Sequence, residues 1–398
     1  MSAPDTSRLL PDWPVYRPIY TDPDIAAVAS QDFCIAAWLR FEQTVARGQA
    51  LLGLIPPEAA SDIGALTVGD LDLSSYAESA ERVGRPILPL VDAIRAALPS
   101  DFAAHVHHGL TTQDVMDTGH ALLLRDGAGI VGARLAAVTD RLAEIAREHA
   151  ATPMLARTIG QAARPTTFGF RVAVWVAEMH RHRGRIAHSA AQAATVQLGG
   201  AVGTLAGQDG RGRELRRWVA EALGLGAAPI STQSARDGVI AFLLSLANLG
   251  AAAEKIAQEL AFLAAARIGE IRFEQPGGTG VSSAMPHKAN PSRLEFAEAC
   301  GALAKTRGAS ALDVANHRGD REGGVWLREW PTLVETLHYA AAALRHLGDA
   351  LDDLRVNRDA MAAGLDELPD TARTGDDINA ATAETIAALE ELEGGTDT

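Results

Sequence analysis

Residues 114–150, DVMDTGHALLLRDGAGIVGARLAAVTDRLAEIAREHA, run without a proline and predict one continuous helix. Pro153 closes this helix, and Thr112 or Asp114 can cap its start. A helix of roughly 35 residues is about 50 Å long, which is well above the usual length in globular proteins. The stretch therefore indicates a fold built on long helices.

Other segments repeat this pattern, and together they predict an all-α fold. No stretch shows a convincing alternation of apolar and polar residues, so we expect no strand. The residues before Thr21 are rich in proline and aromatic residues and are expected to be irregular. Further predicted helices cover residues 24–54, 86–97, 165–198, 234–271 and 326–354, and one more begins after Pro291.

The helix pattern divides the chain into three parts: an N-terminal helical domain (1–104), a central bundle of long helices (105–350) and a C-terminal helical segment (351–398). The helix predicted over 234–271 is apolar almost all round, for example at Ile240, Leu243 and Leu260. A helix in a lone bundle needs only one apolar stripe, so this helix predicts burial in an obligate homo-oligomer. The acidic tail from Asp366 carries one weak helix over 377–392.

The composition excludes several classes of function. The chain has 398 residues, 47% of them hydrophobic, and a formal net charge of −14, which argues against binding to nucleic acid or to an anionic membrane. Cys34 and Cys300 form neither a metal-spaced pair nor a disulfide framework. The N-terminus lacks a signal sequence, and the uncharged run 238–253 is too short to span a bilayer. We therefore predict a cytoplasmic protein without a membrane span.

A second stretch, GGTGVSSAMPHKANPSR at residues 277–293, fits neither a helix nor a strand. Its glycines, serines and prolines are typical of a loop, yet it carries His287, Lys288 and Asn290 between two apolar helices. Polar clusters at 105–114, 157–168 and 317–326 also precede predicted helices, whose free N–H groups attract anions. Polar loops on a rigid helical scaffold are a common place for chemistry.

Neither a cofactor nor a metal is predicted. The glycine pattern LGGAVG at 198–203 follows no predicted strand and lacks the G-x-G-x-x-G spacing of a dinucleotide site. The histidine pattern HVHH at 105–108 is a weak metal signal, because a metal site needs a denser ligand set. Since the chain is acidic overall, a site for an anionic substrate must supply its own positive charge.

The sequence SSAMPHKANP at 282–291 resembles the signature loop of the fumarase/aspartase superfamily. The sequence HHGLTTQDVMDT at 107–118 is similar to a second region of that superfamily, and residues 157–168 to part of a third. The resemblance covers about residues 15–365. It implies an all-α homotetramer with a central bundle of long helices and active sites shared between subunits. It also implies reversible elimination or addition next to a carboxylate on a small di- or tricarboxylate.

The resemblance assigns roles to individual residues. Ser282 matches the serine that acts as base on the carbon acid, and His107 matches a catalytic-site histidine. The remaining matched positions bind substrate. Among them, Lys288 would stabilise the enediolate as charge builds on the substrate. The expected substrate-binding residues are Thr111, Thr112, Gln161, Ser283, Met285, Lys288, Asn290 and Arg321.

Within the superfamily, residues 85–91, 197–206 and 321–330 resemble the 3-carboxy-cis,cis-muconate cycloisomerases most, and adenylosuccinate lyases next. Fumarases and adenylosuccinate lyases have a histidine that protonates the leaving group where this chain has Ile159. A carboxylate needs no such proton, because the pKa of its acid is about 4. Ile159 therefore favours lactonisation of 3-carboxy-cis,cis-muconate, or an unusual lyase that releases a nitrite-like group, over adenylosuccinate lyase. His107 could still serve as the acid.

Two alternatives remain open. One is a fumarate-releasing lyase acting on adenylosuccinate or on a substituted succinate, such as a nitro compound. The other is a catalytically silent helical scaffold, which two departures from the superfamily pattern favour: Val281 replaces a glycine and would stiffen the loop, and the C-terminal domain is shortened. In addition, Ala289 stands where related loops often carry arginine, which removes one possible carboxylate contact.

Overall fold

The structure is a computed structural model that describes residues 13–285 and 288–394. His287, one of the polar residues of the signature loop, lies outside the described residues. The N-terminal part consists of short helices packed around one longer helix. These are α1 (Arg17–Tyr20), α2 (Pro23–Val28), α3 (Gln31–Leu51), α4 (Pro57–Ala65), α5 (Tyr76–Val83), α6 (Ile87–Ala96) and α7 (Ser100–Ala103).

The single helix predicted over 24–54 is in fact two helices, α2 and α3. Ser30 separates them, because its side-chain oxygen accepts a hydrogen bond from the N–H of Phe33 at 3.1 Å and so begins a new helix. Asp22 caps α2 in the same way through the N–H groups of Asp24 and Ile25. The prediction of irregular chain before Thr21 was also wrong at α1.

The central part is a bundle of five long helices with short strands at its connections. In chain order the elements are α8 (Thr112–Glu148), β1 (Pro153–Thr158), β2 (Gln161–Thr167), α9 (Phe168–Ala193), β3 (Thr195–Val196), α10 (Gly212–Leu223), β4 (Gly226–Ala227), α11 (Asp237–Leu263), β5 (Ile271–Phe273), α12 (Ser292–Ala309) and α13 (Gly323–Asp353). The bundle helices are α8, α9, α11, α12 and α13. The all-α fold class is therefore confirmed.

The predictions failed where the chain forms strands. β1 and β2 make an antiparallel hairpin, so the helix expected from Pro165 begins only at Phe168, where Thr167 accepts the N–H of Phe170. Pro165 is tolerated in β2 because a two-stranded ribbon does not use every backbone N–H. Likewise α11 ends at Leu263, before β5. β3 pairs with β4 in parallel, and β5 pairs antiparallel with β6 (Leu354–Val356).

The long helix α8 joins two hydrophobic cores. Its middle and C-terminal parts bury Val131, Leu135 and Leu142 in the bundle core, at the spacing of one helix face. Its first turns bury Val115 and Leu122 in a second core, shared with α3, α6 and α10. The start of α8 is therefore held from both sides.

The helix α11 has 27 residues and is long and apolar enough to cross a membrane by length and composition alone, although the uncharged run inside it was expected to be too short. A buried core helix passes the same test, and 56% of its most apolar window is buried inside the protein. Leu246, Leu249 and Ile256 of α11 lie in the bundle core. Packing in the bundle core thus explains the apolar composition of α11.

The last two helices among the described residues are α14 (Arg358–Gly364) and α15 (Gly375–Gly394). The helix α15 docks across the hairpin and α9, with Leu389 buried. Arg164 of β2 donates to Asp377 at 2.8 Å, and the hydroxyl of Thr382 donates to the carbonyl of Ala150 at 3.1 Å. The acidic end of the chain is thus a docked helix.

Candidate functional site

The first part of the candidate site surrounds His107, just before α8. His107 has a backbone φ of 64°, a left-handed conformation that is uncommon for a residue with a side chain. Its ring Nδ1 lies 2.5 Å from Oε1 of Glu42 on α3, and both side chains are largely buried. The carboxylate orients the ring and leaves Nε2 for a substrate.

The same pair changes the acidity of the imidazole. Burial alone would lower the pKa of His107, but the charge and hydrogen bond of Glu42, with the charge of Asp114, outweigh it and raise the pKa above its ordinary value. The site therefore favours the cationic imidazolium. Such a group can donate a proton or bind a carboxylate.

Asp114 ties the start of α8 to the glycine-rich segment that follows β3. Its carboxylate accepts hydrogen bonds from the N–H groups of Gly199 and Gly200, both at 2.9 Å, and from that of Thr111 at 3.1 Å. Burial raises the pKa of Asp114 to about 6, against the opposing effect of these hydrogen bonds. The half-buried side chains of Thr111 and Thr112 consequently sit on a fixed helix start.

Arg321 is held against this helix start by one amide. Its Nε donates to Oε1 of Gln113 at 2.7 Å, and its Nη2 donates to the carbonyl of Ala201 at 3.3 Å. Nε2 of Gln113 donates in turn to Asp117 at 3.0 Å. The amide offers an acceptor to a cation and a donor to an anion, so it joins the two without adding charge.

A buried ion cluster holds the side-chain amide of Gln113 in place through Asp117. Arg236 donates to Oδ2 of Asp117 and Oε2 of Glu329, both at 2.8 Å, and also to Oε1 of Glu329. Trp326 donates its indole N–H to Oδ1 of Asp117 at 2.8 Å. Burial opposes the charge of Arg236, but the two carboxylates hold its pKa above the ordinary value. Arg321 is thus positioned by a chain of contacts that ends in α13.

The same cluster contains the one group of described residues whose side chains are close enough together to hold a metal ion. Ligand atoms of Asp117, His120 and Glu329 lie within 4.8 Å of one another, beside a cavity of about 240 Å³. Burial lowers the pKa of His120, which keeps its ring neutral. Both carboxylates already bind Arg236, however, and its positive charge opposes a cation at this place.

The second part of the candidate site is the tip of the β1–β2 hairpin. The register Thr158↔Gln161 leaves Ile159 and Gly160 as a two-residue turn, and both have positive φ, 53° and 72°. Such a conformation is strained for a β-branched side chain. The side chain of Ile159 is 99% exposed, and Gln161 is exposed beside it. An isoleucine at this tip transfers no proton.

The third part is the signature loop, which closes on itself as a small lid. Val281 pairs with Ala289 in an antiparallel bridge, and the N–H of Asn290 donates to the carbonyl of Gly280 at 3.1 Å. Gly280 takes the left-handed conformation, φ 79°, and a Cβ there would lie 2.1 Å from the carbonyl oxygen of Asn290. Gly280 is therefore the left-handed residue at this place, and the neighbouring Val281 does not have a positive φ.

The predicted lid residues differ in their contacts. The half-buried Ser282 accepts the N–H of Met285 at 3.1 Å, and Asn290 donates its side-chain amide to the carbonyl of Gly280 at 2.9 Å. Ser283 and Lys288 are exposed. The lid thus offers a hydroxyl and an ammonium group to a ligand, while Asn290 also braces the loop.

The single chain does not bring the three parts together. Within 13–285 and 288–394, no hydrogen bond or ion pair joins the His107 region, the hairpin tip and the lid. Arg157 of the hairpin is instead paired with the buried Glu270 at 2.7 Å. Thr111, Thr112 and Arg321 share one neighbourhood through Gln113 and Asp114, whereas Gln161 and the lid residues lie in two others.

Sequence reasoning missed the residues that position the site. Glu42 is 65 positions from its partner His107, and Arg236 is 119 positions from Asp117. A signal did exist for Glu42, because an acidic residue at a buried position of an apolar helix needs a partner. Gln113 was part of the recognised motif, but its bridging role depends on Arg321, which is 208 positions away.

Comparison with known proteins places the chain among lyases. The family model described as "Lyase" matches residues 26–304. An N-acetyl-S-(2-succino)cysteine lyase of Enterococcus italicus is 32% identical over 89% of this chain and 78% of its own length. A 3-carboxy-cis,cis-muconate cycloisomerase of Bradyrhizobium diazoefficiens is 32% identical over 89% and 79%. A nitrosuccinate lyase of Streptomyces davaonensis is 33% identical over 88% and 76%.

Solved structures agree on the fold. A fumarate lyase from Mesorhizobium sp. BNC1 is similar with a TM-score of 0.80 and 29% identity, covering 94% of this chain and 87% of that one. A 3-carboxy-cis,cis-muconate lactonizing enzyme from Pseudomonas putida has a TM-score of 0.83 over 94% of this chain and 98% of its own, at 23% identity. That second likeness concerns the fold alone.

Proposed function

This chain belongs to the lyase family of the fumarase/aspartase superfamily, and we propose that it lactonises 3-carboxy-cis,cis-muconate by reversible addition–elimination beside a carboxylate. In the elimination direction, Ser282 removes a proton from the carbon next to the substrate carboxylate. The electron pair moves into that carboxylate, which Lys288 stabilises as an aci-carboxylate. The pair then forms the double bond while the lactone C–O bond breaks and the ring carboxylate leaves as an anion.

The observation that carries this proposal is the isoleucine at the hairpin tip. With Ile159 there, the departing group must leave without a proton from this position, which suits a carboxylate. The cationic form favoured for His107 then binds the leaving carboxylate, and Arg321 binds a second one. Thr111, Thr112, Gln161, Ser283, Met285 and Asn290 complete the proposed substrate contacts.

A second candidate is the release of fumarate from a substituted succinate. The support for it is that nitrite and thiolate also leave as anions, and that relatives at equal identity are named for such substrates. The roles of Ser282 and Lys288 would be unchanged. The two candidates differ in the leaving group, which is a carboxylate in the first and nitrite or a thiolate in the second.

We further propose that a homotetramer brings the His107 region, the hairpin tip and the lid into one site. Two features support this assembly: the separation of the three parts in one chain, and apolar side chains exposed on the bundle. Val174 on α9 is 52% exposed, Phe262 on α11 44% and Leu303 on α12 37%. A second and third copy would cover such a surface.

The test offers purified protein 3-carboxy-cis,cis-muconate, adenylosuccinate, nitrosuccinate and S-succinylated cysteine derivatives, with ultraviolet absorbance followed over time. Consumption of the muconate that disappears in Ser282→Ala supports the lactonisation. Fumarate from a succinate with the muconate untouched moves the proposal to the second candidate. If a correctly assembled protein turns over none of these compounds, the catalytically silent scaffold is the hypothesis that remains.

A further inference from the structure

A cavity outside the three parts of the site is lined mainly by arginine. Arg213, Arg216 and Arg217 follow one another at helical spacing on α10 and so share one face of that helix. Their side chains and the β4 segment, Ala227 with the following 228–229, enclose a cavity of about 510 Å³. No acidic residue lines it.

The middle arginine is built into the protein. Arg216 is only 3% exposed, and it donates through Nε to the carbonyl of Leu198 at 2.8 Å and through Nη1 to that of Ala228 at 3.2 Å. Its Nη2 has no hydrogen-bond partner among the described residues. Burial, with the nearby charge of Arg213, lowers the pKa of Arg216, although the charge of Asp114 opposes this shift. A buried guanidinium that donates to carbonyl oxygens and, among the described residues, to no carboxylate favours an anion beside it.

The flanking arginines have no direct ion pair. Arg213 and Arg217 are exposed and lie beyond ion-pair distance of every carboxylate that the structure describes, although the charge of Arg217 still acts on Glu214. Arg211, two residues before Arg213, differs from them because it pairs with Glu214 at 2.7 Å. Three guanidinium groups around one cavity repel each other, and they do so in a chain whose net charge is −14. A bound anion would remove that repulsion.

We propose that this cavity binds a compact oxyanion of phosphate type, either inorganic phosphate or a phosphomonoester. Guanidinium groups match the geometry of phosphate oxygens and bind them in pairs. The occupant would also act on the candidate site. Arg216 holds Leu198, which directly precedes the glycine-rich segment anchored by Asp114 and touched by Arg321 through Ala201.

The binding test uses calorimetric titration of the full-length protein with inorganic phosphate and with a phosphomonoester, phenyl phosphate, at low ionic strength, and the tighter of the two anions identifies the source. We expect Arg213→Gln/Arg217→Gln to weaken binding at least about tenfold, since two charge-assisted contacts are lost. The matched control Arg211→Gln/Arg355→Gln removes the same charge from paired arginines and should leave affinity nearly unchanged. Equal weakening in both doubles, or no binding of either anion to the parent protein, overturns the proposal.

A second measurement tests the link to the glycine-rich segment. Hydrogen exchange over residues 199–203 should slow when phosphate is added to the parent protein but not to Arg213→Gln/Arg217→Gln. This measurement and the titration need no turnover, so they stand or fall separately from the proposed reaction. Unchanged exchange in the parent protein at saturating phosphate would overturn the link while leaving the binding result intact.

Discussion

The region before α8 and the lid contrast sharply in how they hold their reactive groups. His107, Gln113 and Arg321 each have a partner from a distant part of the chain, and the support is buried. Among its described residues, the lid is stabilised by contacts within the loop, through the bridge between Val281 and Ala289 and the side-chain hydrogen bonds of Ser282 and Asn290. Under the proposed function, the first region is a fixed half that binds carboxylate, and the lid is the half that opens to admit the substrate and closes to enclose it.

The largest expected difference between the two halves comes from removing the Ser282 hydroxyl of the lid. Ser282→Ala should reduce kcat at least about a hundredfold, because the proposed base is lost, while the unfolding free energy stays unchanged. Steady-state kinetics and urea denaturation measure the two effects. Thr279→Ala removes an exposed hydroxyl of the same loop, bonded only to Pro276, and should keep full activity. An active Ser282→Ala protein would contradict the role of this serine.

A mutation in the support of the fixed half should instead lower the free energy of unfolding. Arg236→Leu leaves the carboxylates of Asp117 and Glu329 buried without a cation, which should cost about 3–5 kcal/mol of unfolding free energy. Arg355→Leu breaks a surface pair with Glu274 and should cost less than about 1 kcal/mol. If the two variants unfold at the same urea concentration, the buried cluster does not hold the α8 region together.

Glu42→Gln should change the pH dependence of the fixed half. Glu42 raises the pKa of His107 above its ordinary value of 6.5. The contribution of the pair to the free energy of unfolding is therefore complete below that ordinary value and is lost as pH rises through the raised pKa. Without the carboxylate, the basic limb of kcat/KM should move to lower pH, and so should the His107 titration followed by NMR. Glu144→Gln, on an exposed pair with Arg141, should move neither. An unmoved His107 titration would rule out the pairing.

The smallest effect is expected from Val281→Gly. Gly280 already supplies the left-handed residue of the lid, so a second glycine gives no needed freedom and should cost about 0.5–1 kcal/mol of local stability. Turnover should stay near that of the parent protein. A large gain in kcat would mean that Val281 restricts the lid after all.

The long helices were predictable because their evidence is local: apolar spacing and the absence of proline over residues 114–150. The hairpin was not, because two short strands are stable only when paired and docked, here by α15. Ser30 shows a third case. A single capping residue divides a continuous apolar pattern, and nothing in the periodicity marks which serine will do so.

For the candidate site, the sequence indicated the residues proposed to contact substrate but not the partners that hold them in place. Ser282, Lys288 and Arg321 lie in recognisable motifs. Glu42 and Arg236 lie in ordinary helical sequence, and their importance comes from partners brought close by folding. A pattern along one chain cannot contain a pairing across 65 or 119 positions.

The docking of α15 has a consequence for the order in which the protein can be made. The hairpin and α9 leave the ribosome long before residues 375–394, yet Asp377 and Leu389 of that helix form part of their packing. The bundle can therefore begin to assemble during synthesis, but the hairpin that carries Ile159 receives its support only once residues 375–394 have also been made. A nascent chain halted before Gly375 would hold a nearly complete bundle with this hairpin uncovered.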